Sequence, residues 1–230
     1  MERYKNLILI GTSHIAIESV NTVREIIESE KPDVVALELD YNRFAALMSK
    51  KKDSHSFWKA IRTLGIKGFI FNLLGAWVEN KLGKIVGVKP GSEMKQAAIS
   101  AKGTNAKIAM IDQDIRITIK KLIKGITWRE KFRFIGDIFK AILFRKPIIE
   151  PFDLRTVPKK ETVKKLTMML KKSYPSVYNT LIKERNEIMA KNLYNLMNFG
   201  KIVAVVGAGH EDEIIGLIEK NVQHDKKRSD

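Results

Sequence analysis

A chain of 230 residues, 44% of them hydrophobic, can bury one sizeable core and is too short to require two independent enzyme domains. Cysteine is absent, which excludes disulfide staples and thiolate metal centres, so any bound metal must rest on histidine, carboxylate or water. The 42 Lys and Arg against 26 Asp and Glu, formally +16, fit an anionic partner such as a lipid surface or nucleic acid, and equally fit solubility alone.

Residues 1–6 carry charges of both signs and lead straight into an apolar run, so no signal peptide is expected. Residues 7–14 then read LILIGTSH. Four apolar residues are too few for a helix and predict a buried strand, with Gly11 letting the backbone turn before His14. Ser19 as a cap, followed by Val20, Val23, Ile26 and Ile27 at helical spacing, predicts a helix. Residues 32–40, PDVVALELD, form a second strand that finishes at Glu38, so the chain opens with a right-handed βαβ unit.

Residues 41–103 carry almost no strand signal. Phe44, Leu47 and Met48, then Phe57, Ile61 and Leu64, recur at helical spacing and predict an insertion of three or four helices. The last of these is expected to be capped by Ser92, with Glu93 in its first turn, and to stop at Gly103. The longest apolar run, residues 68–78, is broken by Asn72 and falls short of the ~20 residues that span a bilayer.

Residues 107–114, KIAMIDQD, make a third strand ending in Asp112 and Asp114. Residues 115–172 follow with 17 Lys and Arg against 5 Asp and Glu, so the excess charge is local. Within them Trp128, Phe132, Ile135, Phe139 and Ile142 mark one apolar helix face, with Arg129, Lys131, Arg133, Lys140 and Arg145 around it. That face can lie on anionic lipid, or pack into a lid or a homodimer; the packed reading takes precedence, because such stripes are usually interior.

A proline-punctuated connection leads to a short helix near residues 162–170 and a long one opening at Pro175. Glu184 and Arg185 interrupt the long helix's apolar face. A solvated pair on its outer side is the simpler expectation, and a buried ion pair the alternative. Gly200 closes this helix, residues 202–210, IVAVVGAGH, form the fourth strand, and residues 211–220 the final helix.

Four strands thus finish in His14, Glu38, Asp112 with Asp114, and His210. In an open α/β sheet both faces are covered, so polar chemistry collects beyond the carboxyl ends, and the two histidines are expected to share one cleft. Two imidazoles and a carboxylate are a common ligand set for a divalent first-row metal, which makes hydrolysis of an amide or ester the natural chemistry. Glu38 is then either a ligand or the general base. The plainer alternative, histidines that only hydrogen-bond at loop starts, is weakened by the repeated Gly-x-x-His spacing. His55 and His224 read as surface residues. A dinucleotide loop is excluded, because its third glycine would fall at Asp212.

Gly11-Thr12-Ser13-His14, the segment 32–40 with Arg43, Pro90-Gly91-Ser92-Glu93-Met94, residues 112–118 (DQDIRIT), residues 184–190 (ERNEIMA) and Val206-Gly207-Ala208-Gly209-His210 together resemble the TraB/PrgY family. That family is related to the Tiki proteases and, more distantly, to erythromycin-esterase-like (EreA) and ChaN-like proteins. The resemblance spans nearly the whole chain and is strongest to archaeal or bacterial TraB-domain proteins. It implies a single domain over residues 1–230, with a central mostly parallel or mixed sheet, helices on both faces and the helical insertion.

It also implies a metal-dependent peptidase acting on peptides or protein termini, with Mn, Co or Zn held by His14, His210 and Glu38. Arg43 and Arg116 are placed by it where a guanidinium fork holds a substrate carboxylate or an oxyanion. Glu93, Asp112, Asp114, Glu184 and Arg185 are expected as a supporting tier, some orienting the histidines. Prokaryotic members often continue into C-terminal membrane helices, so attachment through further segments stands beside a cytoplasmic location. Two alternatives remain: a peptide-sequestering protein of pheromone-shutdown type without turnover, and a basic membrane-surface adaptor built on residues 115–172. Nucleic acid is the partner least expected.

Overall fold

A computed structural model describes residues 1–12, 17–49, 91–144 and 160–229. Its centre is a five-stranded sheet in the order β1-β2-β5-β3-β4, formed by Glu2–Tyr4, Leu7–Thr12, Ile202–Gly207, Val34–Leu37 and Lys107–Met110 respectively. Only the edge strand β1 is antiparallel; β2, β5, β3 and β4 run parallel. Every residue of β3 and β5 is buried, as uninterrupted apolar runs in a sheet covered on both faces should be.

The last strand in sequence, β5, slots between β2 and β3. It pairs Leu7 with Ile202 and Thr12 with Gly207 on one side, and Val34 with Ile202 and Leu37 with Val205 on the other. The carboxyl ends of the first, second and last parallel strands therefore lie side by side. Sequence positions far apart are brought to one edge, where such sheets bind ligands.

Alternation along the strands sorts the helices into two layers. Ile8, Ile10, Val35, Leu37, Val203 and Val205 pack against α1 (Ile17–Glu30) and α3 (Ser92–Gly103) through Val23, Ile27, Met94 and Ala97. Leu7, Leu9, Ala36, Ala204 and Val206 face α8 (Glu184–Leu196) and α9 (Glu211–Ser229) through Met189, Leu193, Ile214 and Ile218. Glu38 continues the second parity and so is directed to the α8 and α9 side. The remaining described helices are α2 (Tyr41–Met48), α4 (Ile115–Gly125), α5 (Trp128–Phe144), α6 (Lys160–Ser173) and α7 (Pro175–Tyr178). Of the insertion expected over residues 41–103, α2 and α3 are described, and residues 50–90 lie outside the described set.

Several local expectations change. Ser19 is buried inside α1 instead of capping it, and Gly91, at φ 79°, occupies the position before α3 that Ser92 was expected to fill. Gly11 makes no turn. It lies within β2, opposite Val206, and a Cβ there would come within 2.5 Å of the Glu211 carboxylate, so close approach is what requires a glycine. Gly200 does adopt a left-handed backbone, at φ 103°, where the chain leaves the 3-10 turn Met197–Phe199 for β5.

α5 opens with a capping box: Glu130 accepts from the Thr127 amide at 2.9 Å, and the Glu130 amide donates back to Thr127 Oγ1 at 3.3 Å. The other Glu130 oxygen accepts from the Ser176 amide at 2.8 Å and so ties α5 to α7. Burial pushes this carboxyl up, but the Thr127 and Ser176 donors outweigh it and bring its pKa down to about 2. A depressed folded-state value stabilises above the unfolded value near 4.5 and loses that stabilisation as pH falls toward 2. Glu130→Gln is therefore expected to cost roughly 1–2 kcal/mol near neutrality and little at the acid end of that window, which urea unfolding at a series of pH values will read. Among the described residues no helix is long and apolar enough to cross a membrane.

Candidate active site at the strand ends

β3 ends at Leu37, and the next residue, Glu38, still donates its amide to Val205 O at 3.1 Å, which holds it against β5. Its carboxylate is buried and spans two elements. Oε2 accepts from the Gly207 amide at 2.6 Å, where β5 ends, and Oε1 meets the Arg185 guanidinium from α8. His210 follows three residues after Gly207, and its Nε2 lies 3.4 Å from the same Oε1.

Arg185 is the hub. Nη2 also reaches Asp112 Oδ2 at 2.7 Å, Nε donates to Asp112 at 3.2 Å, and Nη1 donates to Leu181 O at 3.2 Å and stands 3.3 Å from His210 Nε2. Burial works against this charge, but the fields of Glu38 and Asp112 outweigh it and raise the guanidinium's pKa, so Arg185 is a permanent cation. A π-helical turn, Asn179–Lys183, stands immediately before α8 and widens the helix by one residue. Such turns re-aim the side chains that follow, here Arg185 and Asn186.

A second fork completes the wall. Asp40 caps α2 by accepting from the Asn42 and Arg43 amides at 2.8 and 3.0 Å. Arg43 then bridges Asp40 at 2.9 Å and Asp112 at 2.5 Å. Three carboxylates, Glu38, Asp40 and Asp112, thus share two guanidinium groups, which leaves one negative charge beside His210.

The ring of His210 is oriented by a relay. Tyr178 Oη donates to Glu213 Oε1 at 2.7 Å, and Asn186 Nδ2 donates to Glu213 Oε2 at 2.8 Å. Burial first, then the bond to Glu213, raises the Tyr178 hydroxyl to about 12, so it keeps its proton. With the Asn186 amide nitrogen committed to a carboxylate, its Oδ1 is what faces His210 Nδ1, at 2.5 Å. The proton of the neutral ring therefore sits on Nδ1, and Nε2 presents its lone pair to the Glu38 and Arg185 side. Asn186→Leu is expected to cost about 1–3 kcal/mol, because the Nδ1 proton loses its acceptor. It should also move the His210 ring nitrogens to mixed tautomer shifts in 15N NMR, whereas unchanged nitrogen shifts would show that the relay does not set the tautomer.

The predicted site residues divide into three groups. Glu38, His210, Arg43, Asp112 and Arg185 are together. Arg116 and Asp114 pair with each other at the surface by the start of α4, and Arg116 touches none of that cluster. The solvated Glu184–Arg185 pair does not exist: Glu184 turns outward to Lys121 at 2.5 Å while Arg185 turns inward, because adjacent helix positions point about 100° apart. Glu93 is buried under α3, on the opposite layer. His14 and His55 lie outside the described residues, as does the side chain of His224; Thr12, two residues before His14, pairs with Gly207. Sequence reading gave no role to Asp40, Asn186, Glu213 or Tyr178. Asp40 alone had a local signal, an aspartate just ahead of a helical run. Among the described residues no group of three or more His, Asp or Glu is arranged to hold a metal ion.

Comparison with known proteins matches residues 2–227 to the TraB/PrgY/gumN family profile. An uncharacterized protein of Methanocaldococcus jannaschii is 33% identical over 216 residues, covering 94% of this chain and 54% of its own length. TraB domain-containing proteins of Mus musculus and Homo sapiens are each 22% identical over 188 residues, covering 77% of this chain and 49% of theirs. The chain thus spans about half the length of the curated relatives it matches.

Proposed function

Because the chain belongs to the TraB/PrgY/gumN family, and because a buried glutamate and an oriented histidine meet at its parallel strand ends, we propose that it is a metal-dependent hydrolase of peptides or protein termini. The observation that carries this reading is the 3.4 Å separation of His210 Nε2 and Glu38 Oε1. Two ligands of one tetrahedral ion, each bonded at about 2.0–2.2 Å, stand about 3.4 Å apart, so this pair fits a shared Mn, Co or Zn. The negative charge left over by the carboxylates fits a cation as well. His14, as the third ligand, belongs to the proposal on the strength of the Gly-x-x-His repeat.

The ion would supply a water of lowered pKa and a polarised carbonyl. The protein's own contributions follow from the contacts. The Gly207 amide fixes one Glu38 oxygen, and the other, held by Arg185, would bind or take a proton once that contact opens. Asn186 holds the His210 ring. Arg185, now against both Nε2 and Glu38 Oε1, has to give up those contacts while keeping Asp112, and from there its fork is placed to hold a carboxylate or developing oxyanion. A groove lined by Lys164, Met168, Tyr178, Ala208 and Gly209 runs beside the His210 loop and gives an extended peptide a seat.

One observation favours a second reading, peptide capture without turnover: Arg185 already pairs with both Glu38 and Asp112. Incubation with a mixed peptide pool and Mn, Co or Zn, read by mass spectrometry, separates the two. Products that appear with metal and vanish with chelator support the hydrolase, and intact peptide retained with no product under any metal supports capture.

A further inference from the structure

Helix α5, Trp128–Phe144, wears its polarity inside out. Its carboxylates point into the protein: Glu130 is 4% exposed and holds Thr127 and Ser176, and Asp137 accepts from Tyr174 Oη at 2.6 Å. Its large apolar groups point outward. Trp128 is 71% exposed, Phe132 67%, Ile135 61% and Phe139 68%. Steps of four, three and four residues put these four on a single stripe of the helix. Among the described residues this face is thus left open, not packed. A soluble surface rarely gathers so much exposed aromatic area without a partner.

The charges beside the stripe name that partner. At 100° per residue, Lys131 lies on one flank and Arg129 and Lys140 on the other, all exposed, while Arg133 lies further round and donates to Ser173 O at 3.1 Å; no described carboxylate of α5 shares the outer side. Lys131 Nζ sits 4.4 Å over the Trp128 ring, so the cation and the indole meet at one level, as they do where headgroups give way to acyl chains. We propose that α5 is an interfacial helix that lays its aromatic stripe into the surface of an anionic lipid bilayer, with its flanking Arg and Lys on the lipid phosphates. A second copy of the same face would bring like charges together along both flanks, and a nucleic acid would leave Ile135 and Phe139 against phosphate. At 17 residues the helix lies on the bilayer and does not cross it.

The test is co-sedimentation of the whole chain with vesicles of phosphatidylglycerol and phosphatidylcholine, against pure phosphatidylcholine. Binding is expected to the anionic vesicles, to fall steeply with added salt, and to be at least about tenfold weaker on pure phosphatidylcholine. Phe132→Ser with Phe139→Ser should weaken it at least about tenfold, since each ring removes buried apolar area, and Arg129→Glu with Lys140→Glu should weaken it and flatten the salt dependence. All four positions are exposed, so circular dichroism should match the parent chain, and Glu38→Gln should bind vesicles as the parent does. Equal binding by the Phe132/Phe139 variant overturns the proposal. So does a dimer in vesicle-free solution that those two substitutions dissociate, or binding to single-stranded nucleic acid in preference to anionic vesicles.

Discussion

Arg185→Met is expected to destabilise the fold by about 3–5 kcal/mol, the largest stability effect of any single polar substitution in the described structure. The side chain is only 13% exposed and is the shared counter-charge for Glu38 and Asp112, whose side chains are 4% and 1% exposed. Methionine fills similar volume but strands Glu38 in a low-dielectric site and leaves Asp112 to Arg43, which Asp40 already shares. Urea unfolding should show a lower midpoint at an unchanged slope. Arg185→Lys keeps the charge but not the fork, and should fall between parent and methionine variant. Adding Glu38→Gln to Arg185→Met should recover part of the loss, because the orphaned charge goes with it. A methionine variant as stable as the parent chain would mean that the cluster is solvated and that its geometry carries no strong electrostatic coupling.

Glu38→Gln is expected to reduce metal-dependent peptide hydrolysis by about 10²–10⁴-fold, the range for removing a group that takes or holds a proton at the reacting centre. The amide oxygen of glutamine can still accept from the Gly207 amide, so the β3–β5 junction survives and loss of activity does not reflect unfolding. His210→Ala and His14→Ala should abolish turnover to a similar degree. His210→Ala should also release Asn186 and so lose some stability, whereas Arg116→Ala should change neither activity nor fold, because among the described residues Arg116 pairs with Asp114 at the surface and not with the cluster. The assay needs a peptide pool, with each variant measured with and without added metal. Full turnover in all three variants at the strand ends removes the hydrolase reading.

What the sequence made legible is the sheet edge. Short apolar runs mark the strands, and their polar ends mark where Glu38, Asp112 and His210 collect, since a two-residue alternation and a parallel register leave little freedom. What stayed hidden depends on contacts that no local pattern encodes. Arg185 reaches Glu38 across 147 positions; it interrupted an apolar helix face in the sequence, and the rule that ion pairs usually stay solvated, not the period, favoured the outside for it. Gly11 looked like a turn residue, and its reason is a carboxylate at Glu211, which is close only once β2 and β5 have paired. The aromatic stripe of α5 obeyed its period and still faced outward, since periodicity locates a face without saying what the face meets.

Crystals grown with Zn²⁺ and measured at the zinc absorption edge decide whether His210 and Glu38 hold one ion. One anomalous peak is expected in contact with both His210 Nε2 and a Glu38 oxygen, with the Arg185 guanidinium withdrawn from the imidazole and from that oxygen and still on Asp112. No peak at those atoms while Arg185 keeps its contact with Nε2, at saturating Zn²⁺, contradicts a metal site there.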